Sequence, residues 1–125
     1  MNVKHEITTA FKAALLWSSL DDNDEPLDSH YDLTDFSPAA LTTIDTLVDR
    51  FIAECLHLVN EIPGYSYSDA GHDLWLTLAG HGCGFWEQDV HGDTLTQWAH
   101  QYRKLADVYV GDDFNIEFFS GDISQ

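Results

Sequence analysis

Residues 70–93, AGHDLWLTLAGHGCGFWEQDVHGD, crowd three histidines, one cysteine and four acids around five glycines and two tryptophans. His72, His81, His91 and Cys83, with Asp73, Glu87 and Asp89 nearby, are side chains of the types that ligate zinc. A zinc site needs three or four such donors to converge on one point. Cys83 near His81 also has the makings of a nucleophile and its base. That chemistry needs an orienting acid as well, while an acidic surround makes the thiolate scarcer. No complete motif supports either chemistry: GxSxG, HExxH, the phosphate loop GxxxxGKS/T and GxGxxG are all missing from the sequence. GHGCGF alternates glycines but opens a strand, and its acidic neighbours repel phosphate.

A second stretch, DDNDEPLDSHYD (residues 21–32), has the twelve-residue length of a calcium loop. Asp21, Asn23 and Glu25 match its first, third and fifth positions. The sixth, which requires glycine for a sharp turn, is Pro26, and the twelfth, a bidentate glutamate, is Asp32. Both decisive positions fail, so no dedicated calcium site and no cofactor are expected.

Charge is the stronger signal. Five Lys and Arg stand against 22 Asp and Glu, a formal net charge of -17. Such a chain disfavours DNA, RNA and anionic membranes as direct ligands and steers toward basic partners. Nine acids and no Lys or Arg lie between Lys12 and Arg50, and five more follow Lys104, again without a base. Carboxylates spread over a rigid frame can imitate a nucleic-acid backbone toward a protein with a basic groove. Asp21, Asp22, Asp24, Glu25, Asp28, Asp112 and Asp113 are the expected partner-binding residues. The plainer alternative is an acid-rich surface that serves solubility.

The elements that would position these groups follow from periodicity. Ile7, Phe11, Ala14 and Leu15 fall on one face of a helix over residues 5–18. Ser37 and Pro38 make a helix start, and the helix should run to about Asn60. Leu41, Ile44, Val48, Phe51, Cys55 and Val59 line its apolar face, widened by Leu47 and Ile52. HDLWLTL alternates Leu74, Leu76 and Leu78 against Trp75 and Thr77 and reads as a strand, turned by AGHG and returned by CGFWEQ. On that hairpin His72 and His81 are roughly 25–30 Å apart at about 3.3 Å per residue, too far to share an ion. Thr94 with Gln97 matches a capping box, and Leu95, Trp98, Tyr102 and Leu105 make the next helical face. DVYV and NIEFF flank GDDF as a second hairpin. The expected fold is a single α+β domain over residues 1–125, three helices packed on a small antiparallel sheet built from two β-hairpins. Neither a signal peptide nor a membrane span is expected, and Cys55, at an apolar helical position, reads as a buried free thiol.

Two segments, ALLWSSLDDNDEPLDSHYDLTDFSP and AGHDLWLTLAGHGCGFWEQ, resemble a family of small acidic proteins of tailed bacteriophages and related mobile elements. Its members look alike in LWSS–DD, LD–Y, AGHDFWLTRNGHGAGFWD and a late YVGDDG. The matching positions here are Leu16 to Ser19, Asp21, Asp22, Leu27, Asp28 and Tyr31, then positions within Ala70–Thr77, Gly80–Gly82, Gly84–Trp86 and Tyr109–Asp113. The chain departs at Leu78 and Ala79, at Cys83 where alanine is usual, and at Phe114 where glycine is usual. The resemblance implies a phage setting, the cytoplasm of an infected bacterium and an accessory role outside the virion.

Three functions are then open. The leading one is a non-enzymatic protein that occupies the basic nucleic-acid-binding surface of a host defence or DNA/RNA-processing protein, as a nucleic-acid mimic. A second is a small metal-binding or metal-dependent hydrolytic domain at His72, Asp73, His81 and Glu87. A third is an interaction module that uses Trp75 and Trp86 as exposed aromatics, with charge only for solubility. Oligomeric state is not set by the sequence.

Overall fold

The computed structural model describes residues 2–21, 23–80 and 82–119; Asp22 and His81 lie outside them. Helix α1 (Val3–Ser18) is capped by the Asn2 side chain, which accepts from the His5 N–H at 3.1 Å. Ile7, Phe11, Ala14 and Leu15 are buried as their spacing requires. Leu16, on the opposite side of the helix, is buried too, because the following segment folds back over α1 with Leu27 and Phe36 inside.

Helix α2 (Pro38–Val59) starts where the sequence places it. The Ser37 hydroxyl accepts from the Ala40 N–H at 3.0 Å, with Pro38 at the first helical position. Its expected stripe is buried except Leu41, which is exposed in the first turn, and Ile52, which is partly buried. Burial pushes the Cys55 thiol up to about 12, aided by Glu54, so this cysteine is chemically quiet.

The expected first hairpin is a helix. Helix α3 (Tyr67–Ala79) opens with a reciprocal capping box between Ser66 and Asp69 and closes on Gly80 at φ 73°. The alternation of Leu74, Leu76 and Leu78 suggested a strand, but Trp75 and Thr77 between them are buried as well. A segment buried on every side carries no usable period, so the caps at its ends, not its interior, identify it.

Helix α4 (Gly92–His100) begins earlier than the Thr94–Gln97 pattern implies. Its N-cap is His91 at φ 61°, with no side-chain cap, so loop geometry rather than a capping box starts it. Leu95, Tyr102 and Leu105 are buried as expected, the last two beyond the helix end. Strands β1 (Val108–Val110) and β2 (Ile116–Phe118) form the expected second hairpin, pairing Val108 with Phe118 and Val110 with Ile116. Among the described residues the architecture is therefore four helices and one two-stranded hairpin, not three helices on a sheet of two hairpins.

Helices α1 and α3 meet closely because Gly71 has no side chain: a Cβ there would run into the Ile7 carbonyl and lie 2.8 Å from the Ala10 Cβ. Above this contact Trp75 packs edge-on against Phe11, with centroids 5.6 Å apart. Phe51 of α2 stacks on Phe85 at 5.9 Å and meets Trp98 of α4 at 5.4 Å, which ties the remaining elements to the same core.

Candidate functional site

Strand β2 is stitched to the segment before α2. The Ile116 N–H donates to the Asp35 carbonyl at 2.7 Å, the Ser37 N–H donates to the Ile116 carbonyl at 3.1 Å, and the Ser37 hydroxyl donates to the Glu117 carboxylate. This short parallel bridge, Phe36 to Ile116, fixes the acidic loop 19–36 against the β1–β2 turn. Asp21, Asn23 and Tyr31 of the loop and Gly111, Asp112 and Phe114 of the turn consequently line one cleft of about 390 Å³.

The loop holds its own shape. Asp21 accepts from the N–H groups of Asn23 and Glu25 at 2.8 and 3.0 Å, a turn that uses the carboxylate proposed as a first calcium ligand. Glu25 pairs with His30 at 2.9 Å. Asp24 is exposed at φ 61°. Asp28 points to a neighbouring apolar cleft that shares Tyr31 with the first. Asp113 lines a third cleft beside Tyr109 and Glu117, and its carboxylate accepts from the Asn115 N–H at 3.3 Å. Of the seven acids singled out by charge, Asp21 and Asp112 are thus brought to one cleft, Asp28 and Asp113 line neighbouring clefts, Asp24 and Glu25 are exposed on the loop, and Asp22 lies outside the described residues.

No Lys or Arg forms an ion pair with Asp21, Asp24, Asp28, Asp112 or Asp113 among the described residues. Lys4 is engaged by Asp45 and Asp49 of α2 at 2.6 and 3.0 Å, which raise its pKa. Lys12 is half-buried with its ammonium 5.7 Å from the Phe36 ring centre, and burial lowers its pKa. Lys4 and Lys12 thus serve the frame, and no Lys or Arg ion pair among the described residues neutralises the loop and turn.

The glycine- and histidine-rich stretch divides between packing and a second cavity. The Trp75 indole N–H donates to the Ser18 hydroxyl oxygen at 2.7 Å, and the buried Thr77 hydroxyl accepts from the Phe85 N–H at 2.9 Å. Trp75 is buried, so the reading of it as an exposed interaction residue is corrected; Trp86 is 39% exposed. Cys83 is exposed and His91 pairs with Glu61. His72, Asp73 and Glu87 do come together, with Tyr65 and Asp69, around a cleft of about 410 Å³. Among the described residues, however, no group of three His, Cys, Asp or Glu side chains is arranged to hold a metal ion. His81 falls outside the described residues. Asp69 escaped the sequence reading because its place beside Asp73 depends on α3 being a helix, where residues four apart share a face, and Tyr65 because it reaches Asp73 from the turn before that helix.

Within that cleft the Tyr65 hydroxyl donates to the Asp73 carboxylate at 2.5 Å. Burial raises the Asp73 pKa, with Glu87 and Asp69 adding to it and the Tyr65 hydrogen bond and His72 opposing it. The folded chain therefore binds this proton more tightly than the unfolded chain. Stability attributable to Asp73 is fullest below the ordinary carboxyl pKa and declines as pH rises through the higher folded value. Asp73→Asn, which still accepts from Tyr65, should gain stability relative to the parent as pH rises from acid to neutral. Urea unfolding of both proteins across that range checks it; a difference that does not vary with pH would assign the titration elsewhere.

Among the described residues no helix is long and apolar enough to cross a membrane. Comparison of the chain with protein-family models, with curated proteins and with solved structures finds no match.

Proposed function

We propose that this chain is a non-enzymatic binding protein whose acidic loop and hairpin turn occupy a basic, nucleic-acid-binding surface of a host protein in an infected bacterial cytoplasm. The observation that carries the reading is the cleft itself. Asp21 and Asp112, distant in sequence, line one recess, and neither has a Lys or Arg ion partner among the described residues. A recess of unneutralised carboxylates attracts Lys and Arg side chains and repels nucleic acid, so the partner is a protein whose own ligand is the polyanion.

The quadruple substitution Asp21→Asn, Asp24→Asn, Asp28→Asn and Asp112→Asn tests it. Parent and variant are used as bait in bacterial lysate at low salt, eluted by a salt gradient and then by added DNA. A nucleic-acid-binding protein should elute sharply with salt and be displaced by DNA from the parent. Its affinity for the variant should drop by about tenfold or more, with the circular dichroism spectrum unchanged. Equal retention by both proteins at low salt sinks the reading.

A further inference from the structure

We infer that the cleft between the end of α1 and the loop that follows it seats an apolar side chain of a basic protein segment, an aromatic or branched aliphatic anchor flanked by Lys or Arg. The inference rests on the reading that the acidic face takes a basic partner, and it names what that partner must carry besides charge.

Trp17 and Leu33 form the walls at 49% and 38% exposure, Leu16 the buried floor, and Tyr31 one end of a cleft of about 340 Å³. Asp28 and Asp32 are its exposed rim. Half-exposed Trp beside exposed Leu forgoes burial that each would gain in a core. Recessed aromatic positions of this kind, ringed by polar groups, are where a few side chains dominate protein interfaces.

Charge selects the occupant. Asp32 accepts from the Thr34 hydroxyl at 2.6 Å and the Thr34 N–H at 2.8 Å, and that hydroxyl and N–H hold its pKa below the ordinary range. Asp28 has no ion partner among the described residues. An anionic lipid or a nucleic acid would meet these carboxylates at the rim, whereas Lys or Arg beside an apolar anchor would pair with them. Tyr31 also lines the cleft of Asp21 and Asp112, so one segment crossing Tyr31 reaches both recesses.

The test uses the full chain and two labelled peptides, one with a single leucine between pairs of Lys and Arg, the other with glycine in place of leucine. Fluorescence anisotropy should show the leucine peptide binding about tenfold tighter, the ratio one well-buried anchor confers. Trp17→Ala should bring the two affinities together. Leu33→Ser, at an exposed loop position, should narrow the same ratio and stands in if the Trp17 variant is poorly folded. The Asp21→Asn, Asp112→Asn pair should weaken both peptides while leaving their ratio. Equal binding of the two peptides overturns the anchor and leaves the acidic face; binding of neither overturns both. A ratio that survives Trp17→Ala and Leu33→Ser places the anchor elsewhere and overturns it too. So would sedimentation showing a Trp17-dependent dimer, since a second copy would then cover the cleft.

Discussion

Trp75→Ala should lower the unfolding free energy by about 3–5 kcal/mol, the cost of emptying a buried tryptophan site. The indole is 1% exposed, sits edge-on to Phe11, and is the middle of a polar chain. Its N–H donates to Ser18 Oγ at 2.7 Å and the Ser18 O–H donates to the Ala14 carbonyl at 2.6 Å. Truncation therefore removes packing and strands a hydroxyl oxygen of α1. Trp75→Phe keeps most of the volume and loses the donor alone, so it should cost about 1–3 kcal/mol. Against a total of about 5–15 kcal/mol for a domain, this is a large share of the stability. Urea unfolding gives both values. A loss under about 1 kcal/mol for Trp75→Ala would return this residue to a solvent-facing position on a strand.

Gly71→Ala tests the α1–α3 contact through an opposition of two effects. Alanine is favoured over glycine inside a helix by about 0.5–1 kcal/mol, so propensity alone predicts stabilisation. The added Cβ would meet the Ile7 carbonyl and stand 2.8 Å from the Ala10 Cβ, both on a helix that cannot shift without opening the core. Overpacking of this kind costs about 1–3 kcal/mol, more where backbone is the obstacle, so a net loss of about 2 kcal/mol is expected. Gly71→Val, with branched bulk at the same point, should not fold. Gly82→Ala, where nothing lies within 4 Å of a Cβ, is the control and should be near neutral. Thermal unfolding compares the three. A stabilised Gly71→Ala would mean that α1 and α3 separate at little cost.

These two residues also show where the sequence could and could not be read. Helix α2 was legible because a one-sided stripe and a Ser-Pro start agree, and the last hairpin because two apolar runs flank Asp112 and Asp113. The stretch 70–79 was not legible from its interior, since Gly71, Leu74, Trp75, Leu76, Thr77 and Leu78 are all buried and a period needs an exposed side to contrast with. Its real signal was Ser66 with Asp69 before it and Gly80 after it. The start of α4 left no residue-type signal, because His91 makes it by backbone conformation.

For the candidate site, charge named Asp21 and Asp112 but could not make them neighbours; that depends on long-range contacts such as the bridge of Phe36 to Ile116. Trp17 was hidden for a similar reason. It lies off the Ile7–Phe11–Ala14 stripe, and whether the loop covers it or stops short is decided by tertiary packing. Some residues on which the phage resemblance rests, Ser18, Gly71, Trp75, Thr77 and Gly84, hold α1, α3 and the following turn together, whereas others, Asp21, Tyr31 and Asp112, line the cleft. In the first group the residue types reflect close packing of backbones.

The same bridge bears on how the molecule comes into being. Its Ser37–Glu117 contact closes a separation of 80 residues, and closure entropy must be met before such a contact returns any free energy. Helices and the β1–β2 hairpin involve near neighbours and can form while the ends of the chain are still apart. The cleft of Asp21 and Asp112 takes one wall from each end, so it exists only once the chain has folded throughout. In a partly folded chain the two walls are apart, although Asp21, Asp24, Glu25 and Asp28 stay close along the chain. The combined potential of loop and turn is therefore a property of the finished molecule.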